Sequence, residues 1–226
     1  MNGALSILRD ERARAVLGAL HARAERENLR LGWRFLGQAT RLALGRPLPW
    51  GRLQSRLSDL SLAVDQASGI FAYQLALALR AQRIVEYGTS HGVSTIYLAL
   101  AVRENGGGLV IGTECVAEKA ARAQANFVEA GVADLIELRV GEAPGTLADL
   151  EGPIDLLHND GFPGAMLSTL QSVAPRMRPG AVALAGNVAL FPADHAEYVG
   201  WVRDPKNGFS SARLPMRMGG ELSVKV

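Results

Sequence analysis

This chain has 226 residues, and a turn that contains two glycines is the first part of it with the residue types and spacing of a ligand-binding site. It follows the apolar run 83–87, contains Gly88 and Gly92, and leads into a segment with helical spacing. Glycine lets a turn close tightly and lets a ligand approach the backbone directly. In an open parallel sheet, ligands bind outside the carboxyl ends of the strands, where the strand order reverses. The turn is therefore the first candidate binding site.

A carboxylate follows the turn at a spacing that suits a nucleoside ligand. Glu114 comes after the next apolar run, roughly 20 residues beyond the turn, where an acid can accept hydrogen bonds from ribose hydroxyls. Ser90 stands where a dinucleotide-binding turn has its middle glycine, and Ser90 and His91 crowd the space of a pyrophosphate. Glu86 offers a negative charge to an ammonium group. These features favour S-adenosylmethionine over NAD.

The segments that must position these residues alternate between strand and helix patterns from residue 83 onward. The predicted strands are 83–87, 109–113, 135–140, 154–158 and 181–188, and the predicted helices are 93–104, 117–130, 144–150, 164–177 and 193–203. Such alternation implies right-handed crossovers and parallel strands with helices on both faces. Two further strands, 209–214 and 221–226, are too close for a crossover and predict an antiparallel edge hairpin. We therefore predict a doubly wound, Rossmann-like α/β fold with seven strands.

An N-terminal helical extension, residues 1–62, precedes the predicted binding domain, residues 63–226. Apolar residues such as Val16, Leu20, Trp33 and Leu36 recur at helical spacing, which predicts helix over 4–44. This segment either covers the domain or pairs with another subunit. Residues 1–60 contain eleven arginines and five acidic residues, a pattern that fits a solvated helix face or contact with an acidic partner.

Composition narrows the class of protein. The net charge is +2, the hydrophobic fraction is 48%, and Cys115 is the only cysteine. The apolar stretches are shorter than the roughly 20 residues that span a bilayer, and charged residues 9–12 interrupt any secretory signal. We expect a cytoplasmic protein that binds a small-molecule substrate and neither a membrane nor nucleic acid, because no nucleic-acid motif is present.

Several motifs occur in a characteristic order along the chain. They are the turn 86–92, Ser94 at the start of the next helix, Glu114, the triplet 141–143, and the C-terminal segments 202–209 and 220–224. With these motifs, from about Asp65 to the C-terminus, the chain resembles the class I methyltransferases of the catechol O-methyltransferase-like group. The resemblance implies that S-adenosylmethionine contacts Glu86, Gly88, Thr89, Ser90, Gly92, Ser94, Glu114, Glu142, Ala143 and Asp160. It also implies a homodimer.

The catalytic set of that family is only partly present. The resemblance implies a divalent metal, commonly magnesium, held by an Asp after the fourth strand and an Asp-Asn pair after the fifth, with a lysine as base. Asp160 and Asn187 match the first and last ligands, whereas Gly186 replaces the second Asp and Pro163 replaces the lysine. The missing carboxylate should weaken magnesium binding. The sequence leaves metal dependence open.

Without a metal, the reaction needs an aligned nucleophile and one general base. Asp160 is the leading candidate for that base, and His195, near the start of a predicted helix, is a second catalytic candidate. We therefore expect methyl transfer to a hydroxyl of a small molecule. Two alternatives remain: methylation of a small amine, because the segment 159–162 is similar to the Asn-Pro-Pro-aromatic loop of amine methyltransferases, and a non-catalytic cofactor-binding or partner protein.

Overall fold

The computed structural model describes residues 4–57, 59–215 and 218–226. Its strands are β1 Arg83–Tyr87, β2 Leu109–Glu114, β3 Ile136–Val140, β4 Ile154–Asn159, β5 Met177–Ala185, β6 Phe209–Leu214 and β7 Gly220–Lys225. Its helices are α1 Glu11–Phe35, α2 Ala39–Ala43, α3 Trp50–Arg56, α4 Gln66–Ala78, α5 Val93–Glu104, α6 Ala117–Ala130, α7 Ala143–Thr146, α8 Pro163–Val173 and α9 Ala196–Arg203.

The seven strands form one sheet in the order β3-β2-β1-β4-β5-β7-β6. The first five strands are parallel, and β7 pairs antiparallel with both β5 and β6. The predicted doubly wound fold with a C-terminal hairpin is confirmed. Positions 216 and 217 of the predicted hairpin connection lie outside the described residues. The strand order reverses between β1 and β4, so the carboxyl ends of these two strands mark the switch point.

Two apolar cores lie on the two faces of the sheet. One core unites α4 and α5 with the first half of α1 and includes Leu17, Tyr97 and Phe127, whereas the other lies beneath α8 and α9. Because β1, β2, β4 and β5 are covered on both faces, most of their residues are buried. Because helices cover both faces of the sheet, the polar side chains of the candidate site lie at the carboxyl ends of the strands.

Helix α1 differs from the single helix predicted over 4–44. A 3₁₀ turn covers Ala4–Ile7, and α1 begins at Glu11 because the Asp10 side chain accepts a hydrogen bond from the Ala13 N–H. The first half of α1 is buried on the domain, but Trp33 is 73% exposed and Leu36 is 57% exposed. No helix among the described residues has both the length and the apolar character needed to cross a membrane.

Some predicted boundaries differ from the observed ones. Strand β5 begins at Met177 instead of residue 181, because α8 ends at Val173 and a 3₁₀ turn follows it directly. The helix predicted over 144–150 is the single turn α7. Polar and glycine-rich flanks obscure such boundaries in a sequence, whereas the pairing of β5 with β4 fixes them in the fold.

Candidate active site at the switch point

The turn between β1 and α5 has the backbone that its glycines predicted. Gly88 and Gly92 have φ angles of +96° and +85°, and Ser90 also adopts a left-handed conformation with φ of +50°. A Cβ atom on Gly88 would lie 2.6 Å from the Gly161 Cα atom, in the turn after β4. Glycine at position 88 therefore lets the turns after β1 and β4 approach each other across the switch point.

Glu86 anchors this turn from beneath. Its side chain is fully buried, and it accepts hydrogen bonds from the hydroxyls of Thr89, at 2.9 Å, and Thr95. The Nδ1 atom of His158 lies 3.4 Å from Glu86 Oε1. Burial alone would raise the pKa of Glu86, but His158 and the hydroxyls of Ser94 and Thr95 hold that pKa below its usual value. The carboxylate thus organises the turn through Thr89 and Thr95.

Glu114, the predicted ribose acid, faces the same turn. Its carboxylate accepts hydrogen bonds from the backbone N–H groups of Ser90 and Val116, each at 2.8 Å. Its backbone carbonyl accepts a hydrogen bond from the Gly141 N–H at 2.9 Å. The structure therefore brings Glu114, the turn at Ser90 and the triplet 141–143 together. Two N–H donors fix the carboxylate orientation before any ligand arrives.

The remaining predicted cofactor residues differ in exposure. Ser94 and Ala143 are buried, and Glu142 is exposed at the start of α7. Thr89 is also buried, with its hydroxyl directed to Glu86. The Ser90 Oγ atom is buried and has no hydrogen-bond partner among the described residues. An orphaned hydroxyl of this kind, beside an oriented carboxylate, fits a polar ligand such as S-adenosylmethionine.

Asp160 lies directly across the switch point from this turn. Its N–H donates to the Tyr87 carbonyl at 3.0 Å, and its Oδ1 atom accepts a hydrogen bond from the Asn187 amide at 2.8 Å. Burial raises the pKa of Asp160 to about 6, repulsion by Glu86 adds to the rise, and His158 and Asn187 oppose it. A carboxylate with such a pKa can accept a proton near neutral pH.

The residues beside Asp160 do not fit the magnesium site that the resemblance implied. A Cβ atom on Gly186 would lie 2.0 Å from Asp160 Oδ1, so the Asp160 carboxylate occupies the space into which a side chain at 186 would project. Asn187, with φ of +59°, directs its amide N–H toward the same carboxylate. Among the described residues, no group of three His, Cys, Asp or Glu side chains could hold a metal. A single carboxylate is a poor magnesium site.

His195 is at the N-terminal boundary of α9 and is 2% exposed. Its Nδ1 atom lies 2.8 Å from the Phe191 carbonyl oxygen. Burial lowers the pKa of His195, so its imidazole is neutral at physiological pH. No hydrogen bond links His195 to Asp160 or Asn187 among the described residues. His195 therefore supports the loop that follows β5 and does not belong to the hydrogen-bonded group around Asp160.

An aromatic group at the loops that follow β4 and β5 was not predicted. Trp50, at the start of α3, lies 5.0 Å from Phe191 and 5.6 Å from Phe162, measured between ring centroids. Phe35 stacks on Phe191 at 6.0 Å. Asp194 accepts hydrogen bonds from the Trp50 indole N–H at 2.9 Å and from the Leu48 N–H at 2.8 Å.

The same segment reaches the other end of the site, because Gln54 of α3 donates to Cys115 at 3.0 Å. Residues 48–56 thus cover the carboxyl edge of the sheet from β2 to β5. The sequence has no signal for this cover, since its contacts join residues from 61 to 146 positions apart. His158 also has a missed role. Its pairing in register with Glu86 becomes visible once β1 and β4 are known to be neighbours.

Comparisons with known proteins agree with this geometry. A protein-family model described as "Methyltransferase domain" matches residues 85–188. Catechol O-methyltransferase from Mycobacterium tuberculosis is 38% identical over 128 residues, which cover 56% of this chain and 57% of that protein. The matched region thus spans less than three fifths of this relative's length.

Solved structures extend the similarity to the fold. Cofactor-bound Rv0187 from M. tuberculosis has a TM-score of 0.67 and 28% identity, covering 76% of this chain and 85% of that chain. The O-methyltransferase TomG from Streptomyces achromogenes, in complex with SAM, has a TM-score of 0.65 and 26% identity, with the same two coverages. By sequence over residues 85–188, and by fold over about three quarters of the chain, the protein is similar to methyltransferases.

Proposed function

We propose that this protein transfers a methyl group from S-adenosylmethionine to a hydroxyl oxygen of a small molecule. The observation that carries the proposal is the pairing of Ser90 with Glu114 on one side of the switch point, facing Asp160 on the other. The relatives named as O-methyltransferases support the same reaction. Bound S-adenosylmethionine would supply an electrophilic methyl group on a sulfonium ion.

The cofactor site that we propose uses the turn after β1 and the ends of β2 and β3. Glu114 accepts hydrogen bonds from the ribose hydroxyls. A polar group of the cofactor forms a hydrogen bond with the buried Ser90 hydroxyl, which has no other partner among the described residues. The negative charge of buried Glu86 attracts the cationic methionine part of the cofactor. The same carboxylate holds the turn in shape through its hydrogen bond with Thr89. The full set is Glu86, Gly88, Thr89, Ser90, Gly92, Ser94, Glu114, Glu142 and Ala143, with Asp160 adjoining.

Asp160 is the proposed general base. It accepts the hydroxyl proton of the acceptor while the oxygen bonds to the methyl carbon and the bond from that carbon to sulfur breaks. Asn187 orients the carboxylate by its hydrogen bond, and the cover of residues 48–56 reduces access of water. In this role the Asp160–Asn187 pair acts as base and orienting group, because the donor set does not fit magnesium. His195 serves as a positioning residue for the loop at Phe191.

The test is incubation with labelled S-adenosylmethionine and a fractionated host extract, with and without EDTA. We expect saturable binding of S-adenosylhomocysteine by calorimetry and label transfer that EDTA leaves unchanged. Failure to bind would contradict the cofactor proposal, and loss of turnover in EDTA would contradict the metal-free mechanism. Mass spectrometry of the product separates oxygen from nitrogen methylation, and tight binding without turnover on any fraction would favour a non-catalytic role.

We further propose that residues 1–62 are an extension of a single domain, residues 63–226, and that the extension mediates homodimerisation. Leu17 packs in the domain core, whereas Trp33, Leu36 and Leu44 are exposed, the last by 60%. Such apolar exposure is typical of an interaction surface. Light scattering after size exclusion should show a dimer, and Trp33→Glu should shift it to a monomer. If the molar mass of Trp33→Glu equalled that of the unsubstituted protein, these exposed residues would not form the dimer interface.

A cytoplasmic location is also proposed, because the lone Cys115 suits a reducing compartment. Fractionation of the host with an antibody to this chain tests the location. Recovery in an oxidising compartment would contradict it.

A further inference from the structure

A second pocket, of about 310 Å³, lies behind the cofactor turn. Residues from α6, from the turn at 88–92 and from the segment before α4 form its walls, namely Asp59, His91, Val116, Glu118, Lys119 and Arg122. None of the proposed cofactor residues lines it. The pocket is therefore a separate feature of the molecule, and the proposed methyl transfer does not use it.

Lys119 is the central feature of this pocket. Its side chain is buried, with 4% of the residue exposed, and its ammonium group has no hydrogen bond or ion pair with any residue that the structure describes. Lysine residues are rarely buried to this extent without a charged partner, and the ammonium of Lys119 is left to face the space of the pocket. Burial accordingly lowers the pKa of Lys119. A bound anion would supply the partner that this charge lacks.

His91 contributes a second unpartnered polar atom. The residue is 3% exposed, and its Nδ1 atom is buried without a hydrogen-bond partner among the described residues. Its backbone is fixed, since the Asn126 amide donates to the His91 carbonyl at 2.8 Å. Arg122, one turn beyond Lys119 on α6, adds an exposed guanidinium group at the rim. Three nitrogen-bearing side chains from two elements therefore surround one space.

The acidic residues nearby already have partners or lie at the surface. Glu114, the acid that acts most strongly on the Lys119 charge, accepts hydrogen bonds from the N–H groups of Ser90 and Val116. Asp59 forms ion pairs with Arg34 and Arg30. Glu27 of α1 accepts hydrogen bonds from Arg23, at 2.9 Å, and from the Ser61 N–H, at 2.8 Å. Glu118 lines the pocket but is exposed on the first turn of α6. None of these carboxylates lies within ion-pair distance of Lys119 in the described residues.

The first turn of α6 adds to the attraction for negative charge. This 14-residue helix begins after Val116, whose N–H donates to Glu114, and the N–H groups of residues 117–119 have no partner among the described residues. Uncapped N–H groups and the helix dipole favour an oxyanion near this end. Together with the unpaired ammonium of Lys119, they define the chemistry of the ligand.

We infer that this pocket binds an oxyanion of the phosphate type, either free phosphate or the phosphate of a small monoester. Lys119 and His91 donate hydrogen bonds to its oxygens, and Arg122 closes the open side. A phosphate presents several acceptor oxygens, which matches donors that converge from different directions.

Calorimetric titration with inorganic phosphate tests this site, with sodium chloride keeping the ionic strength constant. We expect one phosphate per chain, with affinity reduced about tenfold or more in Lys119→Gln, because a charged hydrogen bond is lost. Lys206→Gln, which removes an exposed lysine far from the pocket, should bind as the unchanged protein does. A second titration with glycerol 1-phosphate distinguishes a monoester from free phosphate by which of the two binds more tightly.

Absence of saturable binding of both probes, or equal affinity in Lys119→Gln and Lys206→Gln, would overturn the inference. Thermal unfolding in phosphate-free buffer checks that Lys119→Gln folds, and removal of an unpaired buried charge should leave its midpoint unchanged or raised. Should that variant not fold, Arg122→Gln replaces it, since Arg122 is exposed. A severalfold loss of phosphate affinity in Arg122→Gln supports the site, and unchanged affinity contradicts it.

Discussion

The two sides of the switch point are built by different means. On the cofactor side, the contact between Ser90 and Glu114 joins residues 24 positions apart. On the acceptor side, the contact between Trp50 and Asp194 joins residues 144 positions apart. The cofactor side is thus formed by consecutive strand, turn and helix segments, whereas the acceptor side is formed by distant parts of the chain. A substitution near β1 should therefore act on the cofactor side, and one within residues 48–56 should act on the acceptor side.

The largest effect should come from Gly88→Ala. The added Cβ would meet the backbone of Gly161 at 2.6 Å, in addition to the roughly 1–2 kcal/mol that a left-handed φ costs a non-glycine residue. We expect loss of S-adenosylhomocysteine binding by calorimetry and a large fall in the free energy of unfolding in urea.

Gly106→Ala is the matched control for this variant, because Gly106 has φ of +97° but open space around its Cα. It should show only the backbone cost and retain ligand affinity. Equal behaviour of the two variants would show that the approach of the two turns is unimportant.

Asp160→Asn should have the next largest effect and act on the acceptor side alone. Removal of a general base typically lowers turnover by about 100- to 10,000-fold. The asparagine keeps an oxygen for the Asn187 hydrogen bond, so the fold and the affinity for S-adenosylhomocysteine should persist. Initial rates with labelled cofactor measure the change, with exposed Asp134→Asn as the control. Undiminished turnover would remove Asp160 from the mechanism.

A pH-dependent effect is expected for His91→Gln. Burial lowers the pKa of His91 to about 4, with Arg23, Lys119 and Arg122 adding to the fall, so the folded protein resists protonation. The unfolded chain therefore binds more protons between the folded and unfolded pKa values, and stability falls as the pH drops through this window.

At about pH 5 this effect lowers the free energy of unfolding of the unsubstituted protein by about 2 kcal/mol relative to neutral pH. Urea unfolding at several pH values should show a smaller acid loss in His91→Gln. Parallel curves for the two proteins would show that His91 titrates normally.

The smallest effect should come from Trp50→Phe. This change removes the indole N–H that donates to Asp194 but keeps an aromatic ring in the cover, at a cost of about 1 kcal/mol. We expect a severalfold rise in KM for the acceptor and unchanged affinity for S-adenosylhomocysteine. Trp33→Phe, at a tryptophan that is 73% exposed, is the control. If Trp50→Phe lowered only the affinity for the cofactor, residues 48–56 would belong to the cofactor side and not to the acceptor side.

The sequence predicted the scaffold well because its signals are local. The limits of β1, α5 and α6 agree with the predicted ones, since glycine turns and buried apolar runs bound each element. Helix α1 was less predictable, because its apolar residues have different surroundings: the first half lies in the domain core, Phe35 stacks on Phe191, and Trp33 is exposed. Periodicity shows which side of a helix is apolar, but it does not show what covers that side.

The sequence by itself determined the class of fold, the order of the turns and the acids that accompany them. The direct contact of Ser90 with Glu114 follows from the parallel pairing of β1 and β2. Only the tertiary structure decided the contacts of the acceptor side: the Asp160 carboxylate lies against Gly186, and the Trp50 indole N–H donates a hydrogen bond to Asp194. Those contacts depend on long-range packing, which backbone propensities and motif spacing do not encode.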